Sequence, residues 1–544
     1  MFRRATLTSL LTLALLWPSA GDKVAAQTAL TREQAAAVVI NLADLLANEP
    51  ELPLPVRQRH EALNAYYQEA AGPLLWVGSD RMVELVERLS AAQNDGLERA
   101  DYPIDRLADL ADVVDEADIR GKAIVELYFS AAVLEYASDL QVGRFLPRKV
   151  DPDFYLQGRE IDPLAALDGV RNASDLSAFF ESWQPRGKGY SGLREVLAGY
   201  RALDATGGWP KVSLGDTIKP GMSDERIRSL RARLAVTENV SVNAPPGGEM
   251  VYGDELVAAV QAFQARHGLA VDGVVGNRTI VSLNVPVEER IEGIVIAMER
   301  WRWMPPELGQ DHLLVNIAGF DLRYVRQGEI ADKMAVVVGK PYNKTPVFSD
   351  AVKTVEFNPY WNVPSSIAIK EELPKLQSNA GARAALGYEV VQGDRVIPVN
   401  ALNWSRYGPG NFPFRLRQRP GPKNALGKVK FLFPNKFNVY LHDTPARSLF
   451  ERPERAFSHG CIRVSRPIDL AQEVLAPQGG WSRGHIDEVL ASGNRTVVNL
   501  ATPLPVHITY LTAWVNGGQA NFRSDVYKHD EKLIAALSGR TIAW

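Results

Sequence analysis

The chain holds a single cysteine, Cys461, among 544 residues. That scarcity rules out any intrachain disulfide and any zinc site built from several thiolates. Charge of one sign is also missing. The 61 Lys and Arg are matched by 64 Asp and Glu, and a net charge of −3 leaves none of the basic footprint of a nucleic-acid-binding protein. Beyond the first residues no run reaches the roughly 18 apolar residues that a membrane-crossing helix requires. Nor is there the low hydrophobicity and heavy charge of a disordered chain: 46% of residues are hydrophobic and 23% charged. At roughly 150 residues per domain, the length points to three or four folded units.

The start of the chain reads as an export signal. Met1-Phe2-Arg3-Arg4 is a short basic segment, and Leu7 to Trp17 is an apolar stretch too short to cross a bilayer. Val24-Ala25-Ala26 fits a small-residue cleavage site, so residues 1–26 are expected to be a signal peptide, with Gln27 first in the mature chain. Thiols of exported proteins are usually paired or absent. Cys461 is therefore either buried and inert or present for its reactivity.

Periodicity divides the rest into three regions of a multidomain protein. Residues 28–215 read as a mostly α-helical scaffold. Thr31 and Gln34 form a capping-box pattern ahead of Val38, Leu42, Leu45 and Leu46 at helical spacing. Prolines 50, 53 and 55 break the pattern. Ser79-Asp80 opens a second helix with Met82, Val83, Val86 and Leu89, closed by Gly96, and a third apolar stretch runs from Ile124 to Leu140. No chemical constellation stands out here. Residues 220–286 read as a small three-helix module, with Ile227, Leu230 and Leu234 on one helix face and Leu256, Val260 and Phe263 on another. Gly268 is expected as a left-handed cap, Asp272-Gly273 as a turn, and Ile280 with Leu283 as a third short helix. Residues 312–535 switch to short β-branched and aromatic runs: His312–Ala318, Leu322–Val325, Met334–Val338, Val352–Phe357 and Val429–Phe433. A Gly-, Pro- and Arg-rich stretch over residues 366–424 interrupts this β-rich region. A structureless loop of that length is improbable, so a capping subdomain is expected. Its nine Lys and Arg against four Asp and Glu suit either a solvated surface or a basic rim, with Arg415, Arg417 and Arg419 the best candidates to meet carboxylates.

Chemistry gathers around the cysteine. In Val439-Tyr440-Leu441-His442, strand alternation puts Tyr440 and His442 on one face. In Cys461-Ile462-Arg463-Val464, Cys461 and Arg463 share a face while Ile462 and Val464 point to the core. If the two strands are neighbours, a thiol, an imidazole, a guanidinium and a phenol converge. A free thiol is mostly protonated near neutral pH, and an adjacent imidazole can take its proton, which predicts a thiolate formed below the ordinary thiol pKa. Gly460 permits a tight turn before the nucleophile, and the N–H groups of Gly460 and Cys461 are candidate oxyanion donors. His442 is preferred to His459 as the base, because Gly460 interrupts the extended backbone that would align His459 with Cys461. His459 is assigned to shaping the turn. A metal site of His442, His459 and Cys461 lacks an evident fourth ligand.

The spacing from His442 to Ser458-His459-Gly460-Cys461-Ile462-Arg463 resembles the catalytic signature of the L,D-transpeptidases. The segments Asn358–Pro364 and Asn424–Phe431 resemble the large periplasmic subgroup of that family. Leu256–Gly276 is similar to the peptidoglycan-binding module of many wall enzymes. The resemblance implies a β-rich catalytic domain, Cys461 as the acylated nucleophile and His442 as the base. It further implies an Asp443 main-chain carbonyl orienting that base, and Tyr440, Arg463 and Ser458 as positioning residues. It implies neither a metal nor an organic cofactor. The partners it implies are peptidoglycan stem peptides and glycan, with acylation by carbapenem β-lactams. The expected reaction is 3→3 cross-linking of stem peptides in the periplasm through a Cys thioester. A carboxypeptidase that hydrolyses the same thioester, and a non-catalytic wall-binding protein, are the alternatives.

Overall fold

The computed structural model describes residues 29–540 and 542, apart from 49–51, 53, 71 and 394. The expected signal peptide and the expected breaks at Pro50 and Pro53 lie outside the described residues. The described residues divide into two compact units, those up to residue 87 with 104–131, and residues 88–103 with those from 132 onward.

In the first unit the helix Arg32–Ala47 opens on the expected capping box. Thr31 Oγ1 accepts the Gln34 N–H at 3.2 Å, and Gln34 Oε1 accepts the Thr31 N–H at 3.0 Å. Val38, Leu42, Leu45 and Leu46 form its buried face. The buried Glu126 carboxylate ties the unit together. It accepts the N–H groups of Leu75, Trp76 and Val77 at 2.5, 3.1 and 3.0 Å and the Tyr67 hydroxyl at 2.8 Å. Burial still raises its pKa, because those donors only partly replace the lost hydration.

In the second unit the helices Ile227–Ala235, Asp254–Arg266 and Asn277–Leu283 enclose a core of Ile227, Leu230, Leu234, Leu256, Val260, Phe263, Ile280 and Leu283. Gly268 and Gly273 both take φ of 68°, the left-handed conformation that glycine adopts at least cost. The Gln264 amide pins the turn at Asp272-Gly273, accepting the Gly273 N–H at 2.9 Å and donating to the Val274 carbonyl at 3.0 Å.

The β-rich part contains fifteen strands among the described residues: β1 (His312–Asn316), β2 (Asp321–Arg326), β3 (Glu329–Gly339), β4 (Phe348–Phe357), β5 (Trp361–Asn362), β6 (Tyr388–Gln392), β7 (Arg395–Pro398), β8 (Arg415–Gln418), β9 (Val429–Leu432), β10 (Leu441–His442), β11 (Ala456–Ser458), β12 (Ile462–Val464), β13 (Thr496–Thr509), β14 (Ala513–Asn516) and β15 (Gln519–Phe522). Nine of them form one mixed sheet in the order β11-β3-β12-β10-β9-β4-β13-β1-β2, and a further β2–β3 pairing closes the sheet on itself. Its inner face is a continuous apolar core that includes Val355, Phe431, Leu441, Ile462 and Val464.

The insertion is an ordered subdomain. Its sheet runs β5-β8-β6-β7, and the helix Leu373–Ala385 packs with it around Val363, Leu373, Leu376, Tyr388, Val390, Trp404 and Leu416. The alternation Arg415-Leu416-Arg417 is that of a strand with Leu416 buried. This corrects part of the carboxylate-rim expectation. Arg417 is engaged internally, its Nε 2.5 Å from Glu389 Oε1 and its guanidinium 4.4 Å from the Tyr360 ring centre.

Phe263→Ala removes the largest apolar side chain of the three-helix module and leaves a cavity. We expect it to destabilise that module by about 3–5 kcal/mol. Calorimetric unfolding of the full chain checks this, and a change below about 1 kcal/mol would show that the module does not depend on this core.

Candidate active site

The site is set by strand register. β10 and β12 lie side by side and parallel, with Leu441 opposite Ile462 and His442 opposite Arg463. The Ile462 N–H donates to the Tyr440 carbonyl at 3.1 Å, which places Tyr440 beside Cys461. Leu441 and Ile462 are fully buried in the core, so Tyr440, His442, Cys461 and Arg463 leave the sheet on the other face. The Tyr440 and His442 ring centres are 5.6 Å apart. The structure thus brings together the four side chains that alternation had placed on one surface.

Each group is held by local chemistry. His442 Nδ1 lies 2.5 Å from the Asp443 carbonyl oxygen. A carbonyl only accepts, so Nδ1 carries the proton and Nε2 is left as the acceptor. Asp443 is itself fixed: its N–H donates to the Val429 carbonyl at 2.8 Å, and its carboxylate accepts the Lys428 N–H at 2.8 Å and Arg447 Nη1 at 3.1 Å. Gly427, with φ of 60°, makes this approach possible, since a Cβ there would sit 2.3 Å from Asp443 Cγ.

The turn before the cysteine is closed by Ser458. Its hydroxyl donates to the Cys461 carbonyl at 2.5 Å and accepts the Gly460 N–H at 3.1 Å. Gly460 has φ of 112°, where a side chain is strained, and its carbonyl accepts the Thr345 hydroxyl at 2.8 Å. The expectation of two oxyanion donors is corrected here. The Gly460 N–H is already committed to Ser458 Oγ. His459 points elsewhere as well: its Nε2 lies 2.5 Å from Glu371 Oε1 of the insertion.

Sequence reasoning passed over Lys430, Asn435 and Thr345. Lys430 sits on β9 opposite His442, and its ammonium lies 4.1 Å from the Tyr440 ring centre. The alternation Val429-Lys430-Phe431 was the available signal, because Val429 and Phe431 are core residues. Asn435 pins the turn that precedes β10. Its Oδ1 accepts the Phe437 and Val439 N–H groups at 3.1 and 3.2 Å, and its Nδ2 donates to the Phe433 and Val439 carbonyls at 2.6 and 2.8 Å. The turn presents the Asn438 carbonyl to Cys461 Sγ at 3.6 Å.

Electrostatics keep the resting pair neutral. Burial lowers the His442 pKa to about 3, reinforced by the Arg463 and Lys430 cations and opposed by the Asp443 carbonyl. Burial raises the Cys461 thiol above its ordinary value, although hydrogen bonds from Tyr440 and the charges of Lys430 and Arg463 pull it back in part. This differs from the thiolate–imidazolium pair expected from the sequence. Desolvation penalises both ions, and two cations stand where an imidazolium would form. Arg463 is partly buried, its Nε has no hydrogen-bond partner, and no carboxylate pairs with it among the described residues.

One cluster of metal-ligand types occurs among the described residues, Asp151, Asp153 and His529. Lys532 lies 2.9 Å from Asp151 and Lys344 3.1 Å from Asp153, so ammonium groups already neutralise both carboxylates.

Three regions match family models. Residues 61–197 match a scaffold domain, 223–283 a peptidoglycan binding domain, and 310–504 the L,D-transpeptidase catalytic domain (YkuD). The chain carries an L,D-transpeptidase catalytic domain of the YkuD type. A Haemophilus influenzae protein provisionally named an L,D-transpeptidase is 34% identical over 226 residues, which cover 41% of this chain and 45% of the relative. The chain thus spans about half the length of the curated relative it matches. Among solved structures, an L,D-transpeptidase from Mycobacterium smegmatis is 18% identical, over 37% of this chain and 58% of the other, with a TM-score of 0.19. L,D-transpeptidase 3 from Mycobacterium tuberculosis, in complex with a faropenem-derived adduct, is 16% identical over 37% of this chain and 60% of the other, with a TM-score of 0.20.

For the transpeptidase domain with no substrate present, the neutral thiol predicts that alkylation of Cys461 by iodoacetamide keeps rising with pH beyond about pH 8.5. The sign follows from the raised thiol pKa: raising it lowers the thiolate fraction at every pH below it. A rate plateau at mildly acidic pH would show instead that an imidazolium holds the thiolate.

Proposed function

We propose that this protein is a peptidoglycan L,D-transpeptidase that forms 3→3 cross-links between stem peptides. The observation that carries the reading is the orientation of His442. With Nδ1–H spent on the Asp443 carbonyl, Nε2 is an unprotonated acceptor on the face that bears the Cys461 thiol. Cys461 Sγ attacks the carbonyl of the third stem residue, a diamino acid such as diaminopimelate, as its proton passes to Nε2. The oxyanion meets the Cys461 N–H, the donor this turn leaves for that role. Collapse expels the terminal D-alanine, whose amine takes the proton back from His442, and a thioester remains. The side-chain amine of a second stem then attacks the thioester, releasing the thiol and closing the cross-link.

A neutral resting pair suits this sequence, because proton transfer is then driven by attack and not completed before the substrate arrives. Arg463, with no carboxylate partner among the described residues, suits a substrate carboxylate next to the scissile bond. Ser458 and Gly460 shape the turn, and Tyr440 bounds the pocket. The module at residues 220–286 is assigned to holding the enzyme on the wall glycan, and export by residues 1–26 would place it in the periplasm. Among the described residues no helix is long and apolar enough to cross a membrane.

Mass spectrometry of muropeptides incubated with the full chain tests the reading. We expect a cross-linked dimer, and a loss of more than about 1,000-fold in its rate for Cys461→Ala with the fold retained. A trimmed tripeptide without dimer would make the protein a carboxypeptidase, and unchanged substrate would leave only wall binding. A carbapenem should add its full mass to Cys461, since its strained ring carbonyl is an acyl donor with no separate leaving group. An unmodified Cys461 after prolonged exposure would count against an acylable thiol.

A further inference from the structure

The row that contains His442 extends beyond the residues used above. Glu356 on β4 lies opposite Lys430 on β9, Lys430 opposite His442, and His442 opposite Arg463. Directly opposed residues of neighbouring strands point to the same face, so these four side chains form one line across the sheet. The neighbouring positions Val355, Phe431, Leu441 and Ile462 make a second line on the inner face, all fully buried. Glu356 is buried, and its Oε1 lies 2.5 Å from Arg495 Nε. Lys430 thus has a carboxylate on one side and the reacting groups on the other, with its ammonium over the Tyr440 ring.

We infer that Lys430 is a positioning residue for the Cys461 sulfur: its ammonium, fixed in register by β9 and held against the Tyr440 ring, supplies the positive charge beside which the thiolate forms. The inference rests on the reading of Cys461 as the nucleophile. Arg463 is the other cation beside the sulfur, since Arg495 is paired with Glu356 farther along the row, but a substrate carboxylate bound at Arg463 would cancel its charge. Among the described residues Lys430 is ion-paired with no carboxylate. The carboxylate opposite it, Glu356, is itself engaged by Arg495. The charged and titratable groups facing the sulfur are Tyr440 and His442 from β10, Lys430 from β9, and Arg463 from β12. Glu356 stands behind Lys430, and His459 is turned away onto Glu371. Burial lowers the Lys430 pKa and raises that of the Cys461 thiol, and against this each charge favours the other: Lys430 the ionised thiol, and the ionised thiol the protonated lysine.

The two neighbours of the row predict shifts of opposite sign. Lys430→Met keeps the length of the side chain and removes the charge. It should move the alkylation profile of Cys461 upward by about one pH unit, a loss of about tenfold in rate at neutral pH. Lys430→Arg should restore most of that loss. Glu356→Gln removes the anion that offsets Lys430, and should move the profile downward. A purely structural role would send the Lys430→Met and Glu356→Gln profiles in the same direction or leave both in place.

The experiment is iodoacetamide alkylation of Cys461 against pH in the full chain, for wild type and the three variants, with thermal melts to establish folding. Opposite shifts with rescue by arginine support the inference. An unmoved Lys430→Met profile, shifts of one sign, or no rescue by a folded Lys430→Arg overturns it. Alkylation needs no stem peptide, so the outcome is independent of whether cross-links form. Opposite shifts in a protein that makes no cross-link would refute the transpeptidase reading alone, and active wild type with unmoved variants would refute the role of Lys430 alone.

Discussion

The site depends on one constraint, the shared register of β4, β9, β10 and β12. Because side chains alternate along a strand, a register that buries Val355, Phe431, Leu441 and Ile462 in one row obliges Glu356, Lys430, His442 and Arg463 to form the adjacent row on the opposite face. A slip of one residue would send the apolar row to solvent and the polar row into the core. The apolar contacts that hold the domain together are therefore the same contacts that align the reactive groups. The turns at either end finish the alignment: Asn435 sets the entry to β10, Ser458 sets the entry to β12, and Asp443 locks the imidazole just after β10.

The same burial that gives geometric accuracy controls the charge states. Desolvation pushes both the thiol and the imidazole toward their neutral forms. The cations around them act with opposite sign on the two partners, favouring a thiolate and disfavouring an imidazolium. Such a site holds the Cys461 thiol protonated at rest, which limits its oxidation and stray acylation. The insertion bears on this environment through the His459–Glu371 contact, which ties the loop before Cys461 to the inserted subdomain.

Much of this was legible in the sequence. Two short alternations, Tyr440 with His442 and Cys461 with Arg463, were enough to place the four reactive groups on one face. The helix faces of Ile227–Leu234 and Leu256–Phe263 could be read from their spacing alone. Other features were hidden because they depend on pairings between distant segments. Glu356 and Lys430 look like ordinary surface charges until β4, β9 and β10 are set in register. The long strand β13 was masked by Pro503 and Pro505 and by the register irregularity between Asn499 and Leu504. The helix Val287–Trp303 buries Glu299, Arg300 and Arg302 along with its apolar residues, so its polar pattern gave no clear face. The charge states of the pair were also out of reach, since desolvation is a property of the packed site and not of its residue types.

In the reaction we propose, Cys461 carries the acyl group between the two halves. Intact-protein and peptide mass spectrometry after acid quenching of the full chain with a single donor muropeptide, no acceptor being present, tests it directly. The expected result is an adduct on the Cys461 peptide equal to the donor less its terminal D-alanine, with D-alanine released in equal amount. Release of D-alanine with no adduct on Cys461 at any time, or an adduct on another residue, would contradict it.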